Sequence, residues 1–467
     1  MGASTARTDK ASFSQSSGAM KVSRRPAKQF SKITKVKVRS RGGWLKWLIP
    51  GLRVKRWVGL SFLGIALVLL GIAISARLTP VLNISRFISW LVDLIVDFFP
   101  RNISGPVAIV LGLGIFWWGQ RQMMQSVADT VSPDDQRSLV DALFADRQLR
   151  RGAKIVAIGG GTGLSNLLRG LKKYSSNITA IVTVADDGGS SGRLRREQGI
   201  LPPGDIRNCL TALADEEKLL TELFQYRFNT GEGLSGHSFG NLFLAAMTDI
   251  RGDLQKAISD SSRVLAVRGQ VLPATLEHMT LWADLADGRH IVGESNITKA
   301  GGVIVNFGCD PPEPKAVPEA IEAIASADLI VIGPGSLYTS IIPNLLVPEI
   351  LSALCARKAP AIYVCNIMSQ VGETTGYAVS DYVRVLDSLA GVRLFDAVLV
   401  QKTPPSPEVL ACYERSGCHF THLDRPALQE LHCPVLIADV MQEKSDGTVC
   451  HDPDRLAGVL MRWYNRQ

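Results

Sequence analysis

KIVAIGGGTGLSNLLRGL, Lys154 to Leu171, is the stretch from which the fold is read. An apolar run over Lys154 to Ile158 meets Gly159, Gly160, Gly161, Thr162 and Gly163, and an amphipathic segment follows. That order predicts a buried strand, a glycine turn and a helix. Glycines let the backbone approach a phosphate closely, and the unpaired amides at a helix start point at the anion. The dinucleotide fingerprint needs glycine where Leu164 stands, and no Lys-Ser or Lys-Thr pair makes a P-loop. Phosphate binding is the expected role, and a merely tight turn is the plainer alternative.

Downstream, a second strand over Ile178 to Ala185 runs into TVADDGGSSGRLRREQGILPPGDIRN, Thr183 to Asn208. Asp186 and Asp187 are expected at the carboxyl end of that strand, where open α/β sheets place their sites. Arg193 and Arg207, with Asn208 beside them, are candidate phosphate contacts. Asp205 is expected to join Asp186 and Asp187 around magnesium, which is usually held by one or two carboxylates plus ligand phosphates. A charged surface loop is the alternative. In LSGHSFGNLFLAAM, His237, Ser238 and Asn241 precede an apolar helix and are candidates for ligand contact or for capping. A second glycine loop, ADLIVIGPGSLYTSIIPNLL, repeats the strand, turn and helix order. Gly333, Gly335 and Ser336 form its turn, and Tyr338 is placed to stack on a base or sugar. Asn366 ends a further strand. These tips are expected to share one crevice, with the 159–163 and 333–336 turns at the same end of the sheet. No Ser-His-Asp order, H-E-x-x-H or G-x-S-x-G pattern is present.

Strands over Leu329 to Ile332, Ile362 to Asn366 and Ala397 to Val400 continue the alternation with helices, which predicts an α/β fold with a doubly wound, mainly parallel sheet. Met279, Leu281, Ala283 and Leu285 alternate with polar residues ahead of Asp287-Gly288, the signature of an inserted β-hairpin.

The N-terminal third differs. Residues 1–56 carry 15 of the 51 Lys and Arg and one of the 43 acids, an excess of +14, so the remaining residues are net −6. A basic excess confined to one arm, read as disordered, argues against nucleic-acid binding by the folded domain. Trp57 to Ala76 is a run of 20 residues without a charge, long enough as a helix to cross a bilayer. Ile103 to Gly119 is a second apolar run, ending in Trp117 and Trp118, with a buried or re-entrant helix as its alternative. Between them, Ile84 to Phe99 reads as a helix lying in the membrane surface. Residues 57–120 are thus expected to form a transmembrane hairpin, and the basic arm is expected to place both the N-terminus and the C-terminal domain in the cytoplasm. Residues 121–152 read as a helical linker beginning at Ser132-Pro133, and residues 153–467 as the nucleotide-binding domain. The eight cysteines lack disulfide-framework spacing, and Cys412, Cys418, His422, His432 and Cys433 lack paired zinc spacing.

IGGGTGLS, ADDGGSSGRLR, PPGDIRN, GHSFGN, GPGSLYTSIIPN and CNIMSQVGET occur in this order over roughly residues 153–455, and together they resemble the CofD-like family, in its YvcK or gluconeogenesis-factor branch. The resemblance implies a Rossmann-like CofD fold. It also implies binding of a UDP-sugar such as UDP-N-acetylglucosamine, with a role in carbon partitioning, envelope growth and cell shape. Relatives in the CofD branch are magnesium-dependent 2-phospho-L-lactate transferases acting on a nucleotide diphosphate donor and a deazaflavin acceptor. Their metal aspartates match Asp186 or Asp187 and Asp205, and Tyr338 matches a tyrosine linked to UDP-sugar contact. A homodimer is compatible with the resemblance. The family's C-terminal Arg-His-Asp reads Cys450-His451-Asp452 here, which puts one phosphate contact in question.

Overall fold

The computed structural model describes residues 147–215 and 217–467, together with Arg86, Phe87 and Trp90. The basic arm, both expected spans, all but three residues of the surface helix and most of the linker helix lie outside the described residues. Among the described residues, no single helix is long and apolar enough to cross a membrane. The chain divides into two compact units, Met1–Met123 and Met124–Gln467, and the fold below belongs to the second.

Among the described residues twelve strands follow in chain order: β1 Ile155–Gly159, β2 Ile178–Val182, β3 Gln270–Pro273, β4 Thr280–Leu285, β5 His290–Val292, β6 Ile304–Asp310, β7 Leu329–Ile332, β8 Ala361–Val364, β9 Ala397–Gln401, β10 Val435–Ala438, β11 Met441–Glu443 and β12 Val449–His451. Seven of them form one sheet in the order β10-β9-β8-β7-β1-β2-β3, and every pairing in it is parallel. Successive residues of a strand point to opposite faces, so a sheet covered on both sides needs continuous apolar runs. β1 shows this directly: Val156 and Ile158 pack with Ile181, Ile330 and Ile332 on one face, while Ile155 and Ala157 pack with Val182, Val331 and Val364 on the other. The doubly wound expectation holds. β3 and β10, the two edge strands, were not foreseen, and the second strand is shorter than the run Ile178 to Ala185.

The chain winds outward from β1 to β2 and β3, then returns to the other side of β1 and winds outward again through β7 to β10. β1 and β7 are therefore neighbours whose outgoing loops turn to opposite faces, the switch point at which open α/β sheets form a crevice. Ile158 pairs with Ile332, and the Gly333 amide donates to the Ile158 carbonyl at 2.8 Å, so the two glycine turns leave the sheet side by side.

The inserted hairpin is present as β4 and β5, turning at Gly288, whose φ of +87° suits glycine. It belongs to a three-stranded antiparallel sheet, β5-β4-β6, whose third strand was not foreseen. A short helix, Glu294–Ala300, joins β5 to β6. Near the C-terminus β11 and β12 form a further antiparallel pair.

Candidate nucleotide site

A cavity of about 450 Å³ opens at the switch point, within the roughly 300–1,000 Å³ typical of ligand pockets. The first turn supplies Gly160, Gly161, Thr162 and Gly163, and the second supplies Pro334, Gly335 and Ser336, followed by Thr339 and Ser340. The helix Gly161–Leu171 starts at the cavity without any side-chain cap, so its first amides lack intrahelical acceptors. Asn366 to Gln370 form a third side, where Gln370 Nε2 donates to Ser336 Oγ at 2.8 Å. Tyr413, Cys418 and Val449 to His451 line the cavity from the C-terminal segment.

Three carboxyl groups line it as well. Burial raises the Asp186 pKa, with Asp187 adding to the effect and the Gly188 amide, at 2.9 Å, opposing it. Burial first and Asp186 second push Asp205 up to about 6, although the Gly161 amide donates to it. Glu294, the first residue of the helix behind the hairpin, is pushed up to about 9 by burial and then by Asp186, Asp205, Asp187 and Glu373. Its Oε2 is buried without a partner. At neutral pH Glu294 is therefore a neutral donor beside two acids. Nothing in the sequence pointed to it except an acid at a helix start after a hairpin.

The expected residues divide cleanly. Gly160, Gly161, Thr162, Gly163, Asp186, Asp205, Gly335, Ser336 and Asn366 line the cavity. Gly159 and Gly333 lie just beneath it, at the end of β1 and directly after β7. Asp187 turns away, its Oδ1 accepting from the Ser295 amide at 2.9 Å, so Glu294 and not Asp187 is the third carboxyl facing the cavity. Arg193 donates to the Ser235 carbonyl at 2.9 Å. Arg207 is buried and donates to Ser238 Oγ at 2.5 Å and to Asn208 Oδ1 at 2.9 Å. Ser238 caps the helix Phe239–Arg251. Ser190 Oγ is 3.0 Å from His237 Nδ1 and accepts from Asn241 Nδ2 at 3.0 Å. Arg207, His237, Ser238 and Asn241 make a buried polar knot behind Asp186, the Arg193 contact is exposed, and none of these residues lines the cavity. Tyr338 likewise lies outside the cavity lining: it is 4% exposed, packs on Phe307 and shares a 2.9 Å hydrogen bond with the Tyr377 hydroxyl. A ring held in the core that way does not line the cavity.

Among the described residues, no three His, Cys, Asp or Glu side chains are grouped to hold a metal. Asp186 and Asp205, two desolvated acids of which the first raises the proton affinity of the second, still fit magnesium in the form that uses few protein carboxylates and shares ligand phosphates. A diphosphate held at Gly161 would sit close to the Asp205 carboxylate, and a bound cation would offset the repulsion.

Comparison with known proteins follows the same outline. The family described as 2-phospho-L-lactate transferase CofD is matched over residues 155–441. A protein of Nostoc sp. is 58% identical, over 90% of this chain and 92% of its own length. The gluconeogenesis factor of Bacillus subtilis is 48% identical, over 66% of this chain and 97% of its own. The crystal structure of a Bacillus halodurans protein superposes with a TM-score of 0.65 at 47% identity, covering 67% of this chain and all of that one (100%).

Proposed function

This chain belongs to the CofD family and groups with its gluconeogenesis factors, and from that premise we propose that it binds a UDP-sugar, such as UDP-N-acetylglucosamine, and regulates carbon partitioning and envelope growth according to its supply. The carrying observation is the convergence of the 160–163 and 334–336 turns, from neighbouring parallel strands, on one cavity large enough for a nucleotide. The helix-start amides take the diphosphate. Ile367, Met368, Val449 and the Tyr413 ring supply the apolar wall that a base and ribose need. The N-terminal apolar runs anchor the protein to a membrane, with this domain on the cytoplasmic side; salt-resistant, detergent-releasable membrane association of the full-length chain tests that part.

Isothermal titration of the full-length chain with UDP-N-acetylglucosamine tests the binding. Saturable heat that strengthens with magnesium is expected, and no heat with any UDP compound contradicts it. One observation favours a second reading, a transferase acting on a nucleotide diphosphate. Glu294 supplies a proton donor beside Asp186 and Asp205, the acid–base group that the sequence did not reveal. Magnesium in such a reaction would neutralise charge on the phosphates. Product formed from a lactyl diphosphonucleoside donor and a deazaflavin alcohol, and abolished by Glu294→Gln, would establish that reading over pure binding.

A further inference from the structure

His451 is the last residue of β12, where it pairs with Met441 of β11. It lines the cavity and is 7% exposed. One of its ring nitrogens donates to the carbonyl of Cys365, directly after β8, and the other, Nε2, is buried with no partner among the described residues. Burial pushes the pKa down to about 4, so the ring is neutral under ordinary conditions. A neutral imidazole that donates through Nδ1 presents a bare lone pair at Nε2. Buried acceptors are rarely left unmatched, because the lost hydration is not recovered.

The partner this nitrogen lacks must bring a hydrogen. A phosphate at neutral pH is nearly all acceptor, and its oxygens would face the lone pair unfavourably. The anionic part of a ligand is instead drawn to the amides of residues 160–163. The uncharged donors of a nucleotide sugar are its ribose hydroxyls, the N–H groups of its base and the hydroxyls and amide of its sugar, and of these the nucleoside's are the ones placed against Tyr413 and Val449, on the same strand as His451. We propose that His451 Nε2 accepts a hydrogen bond from such a donor on the nucleoside, and so selects among nucleotide diphosphates by the hydrogen they present at this point. This deepens the nucleotide reading above and rests on it.

The test uses the full-length chain and four probes: UDP, 2′-deoxy-UDP, 3′-deoxy-UDP and N3-methyl-UDP. One of the three analogues is expected to bind the unmodified protein about 10-fold or more weaker than UDP, which identifies the donor. His451→Asn keeps a donor near the Cys365 carbonyl and removes the Nε2 acceptor, so for that same analogue the penalty should shrink to within about 3-fold. His451→Gln, which puts an amide near the Nε2 position, should restore part of it, and unchanged thermal unfolding of both variants shows that the fold survives. Equal binding of all four probes by the unmodified protein overturns the proposal whatever the variants do, as does a penalty that His451→Asn leaves intact. Absence of any UDP binding contradicts the nucleotide reading itself and removes this proposal with it.

Discussion

The turns after β1 and β7 look like two copies of one device, yet their glycines are required for different reasons. At the first turn, a Cβ on Gly160 would come within 2.5 Å of Asp205 Oδ2, and Gly161 has a φ of +64°. Both keep a carboxylate and a helix start close together at the cavity floor. At Gly163 the obstacle is the second turn: a Cβ there would lie 2.6 Å from the Pro334 carbonyl oxygen. The second turn thus serves partly as a packing partner for the first. It is tied down in turn by Asn344, whose Nδ2 donates to the Gly159 carbonyl at 3.2 Å and to the Ser340 carbonyl at 2.8 Å. A glycine-rich loop in a sequence is therefore ambiguous between ligand approach and loop-on-loop packing. All three glycines line the cavity, but Gly163 is required by the contact between the turns and Gly160 and Gly161 by the cavity floor.

The sharpest division between the two turns comes from Asp205→Asn. It removes the charge that faces Gly161 but keeps an acceptor for its amide, so the magnesium-dependent part of UDP affinity should fall on the order of 100-fold while the fold persists. Titrations with and without the metal measure it, and an unchanged metal dependence breaks the link between Asp205 and the diphosphate. Gly163→Ala should act on stability first. The backbone oxygen it meets cannot rotate aside, so about 1–3 kcal/mol should be lost, partly offset by up to about 1 kcal/mol of helix propensity. Urea unfolding reads the difference, and an unshifted midpoint would show that the turns do not press on each other. Tyr338→Phe, on the second turn's helix, should cost about 1 kcal/mol through the lost Tyr377 hydrogen bond and leave UDP affinity alone. Weakened binding without lost stability would return Tyr338 to the ligand.

A smaller effect separates the hairpin lobe from both turns. The folded pKa of Glu294, about 9, lies above its ordinary value of 4.5. Its contribution to stability is therefore present at pH below 4.5 and is lost as pH rises toward 9. Asp205 behaves likewise between 3.8 and about 6. The ligand-free melting temperature should accordingly decline from pH 6 to pH 9, and Glu294→Gln should flatten that decline. An equal slope in the variant would place the titration elsewhere.

The central strands were legible because burial on both faces demands uninterrupted Val, Ile and Ala, and the turns that follow them punctuate the sequence clearly. β3 and β10 were not. Each has four residues at a sheet edge, β3 ends in Pro273, and β10 is only half buried, so neither carries the full apolar signal. β6 was hidden for a related reason: in IVNFGCD, Asn306 and Gly308 interrupt the alternation, and Gly308 is held by the Trp282 ring that covers it. Within the site, the residues on glycine turns could be read locally, whereas Glu294, Tyr413 and His451 reach the cavity through long-range contacts. The arginines and His237 lie outside the cavity lining, and the same limit hid that from the sequence. A polar group near a strand end faces either the ligand or a buried knot, and the choice depends on partners such as Ser190 and Ser238 that only the fold brings into reach.

The most direct measurement is a crystal structure of the protein with UDP-N-acetylglucosamine and magnesium. The account predicts the diphosphate within hydrogen-bonding distance of amides in the 160–163 turn, between β1 and β7, with Asp205 on the metal. A diphosphate resting on the Arg193 and Arg207 side, with the 160–163 amides unliganded, would contradict it.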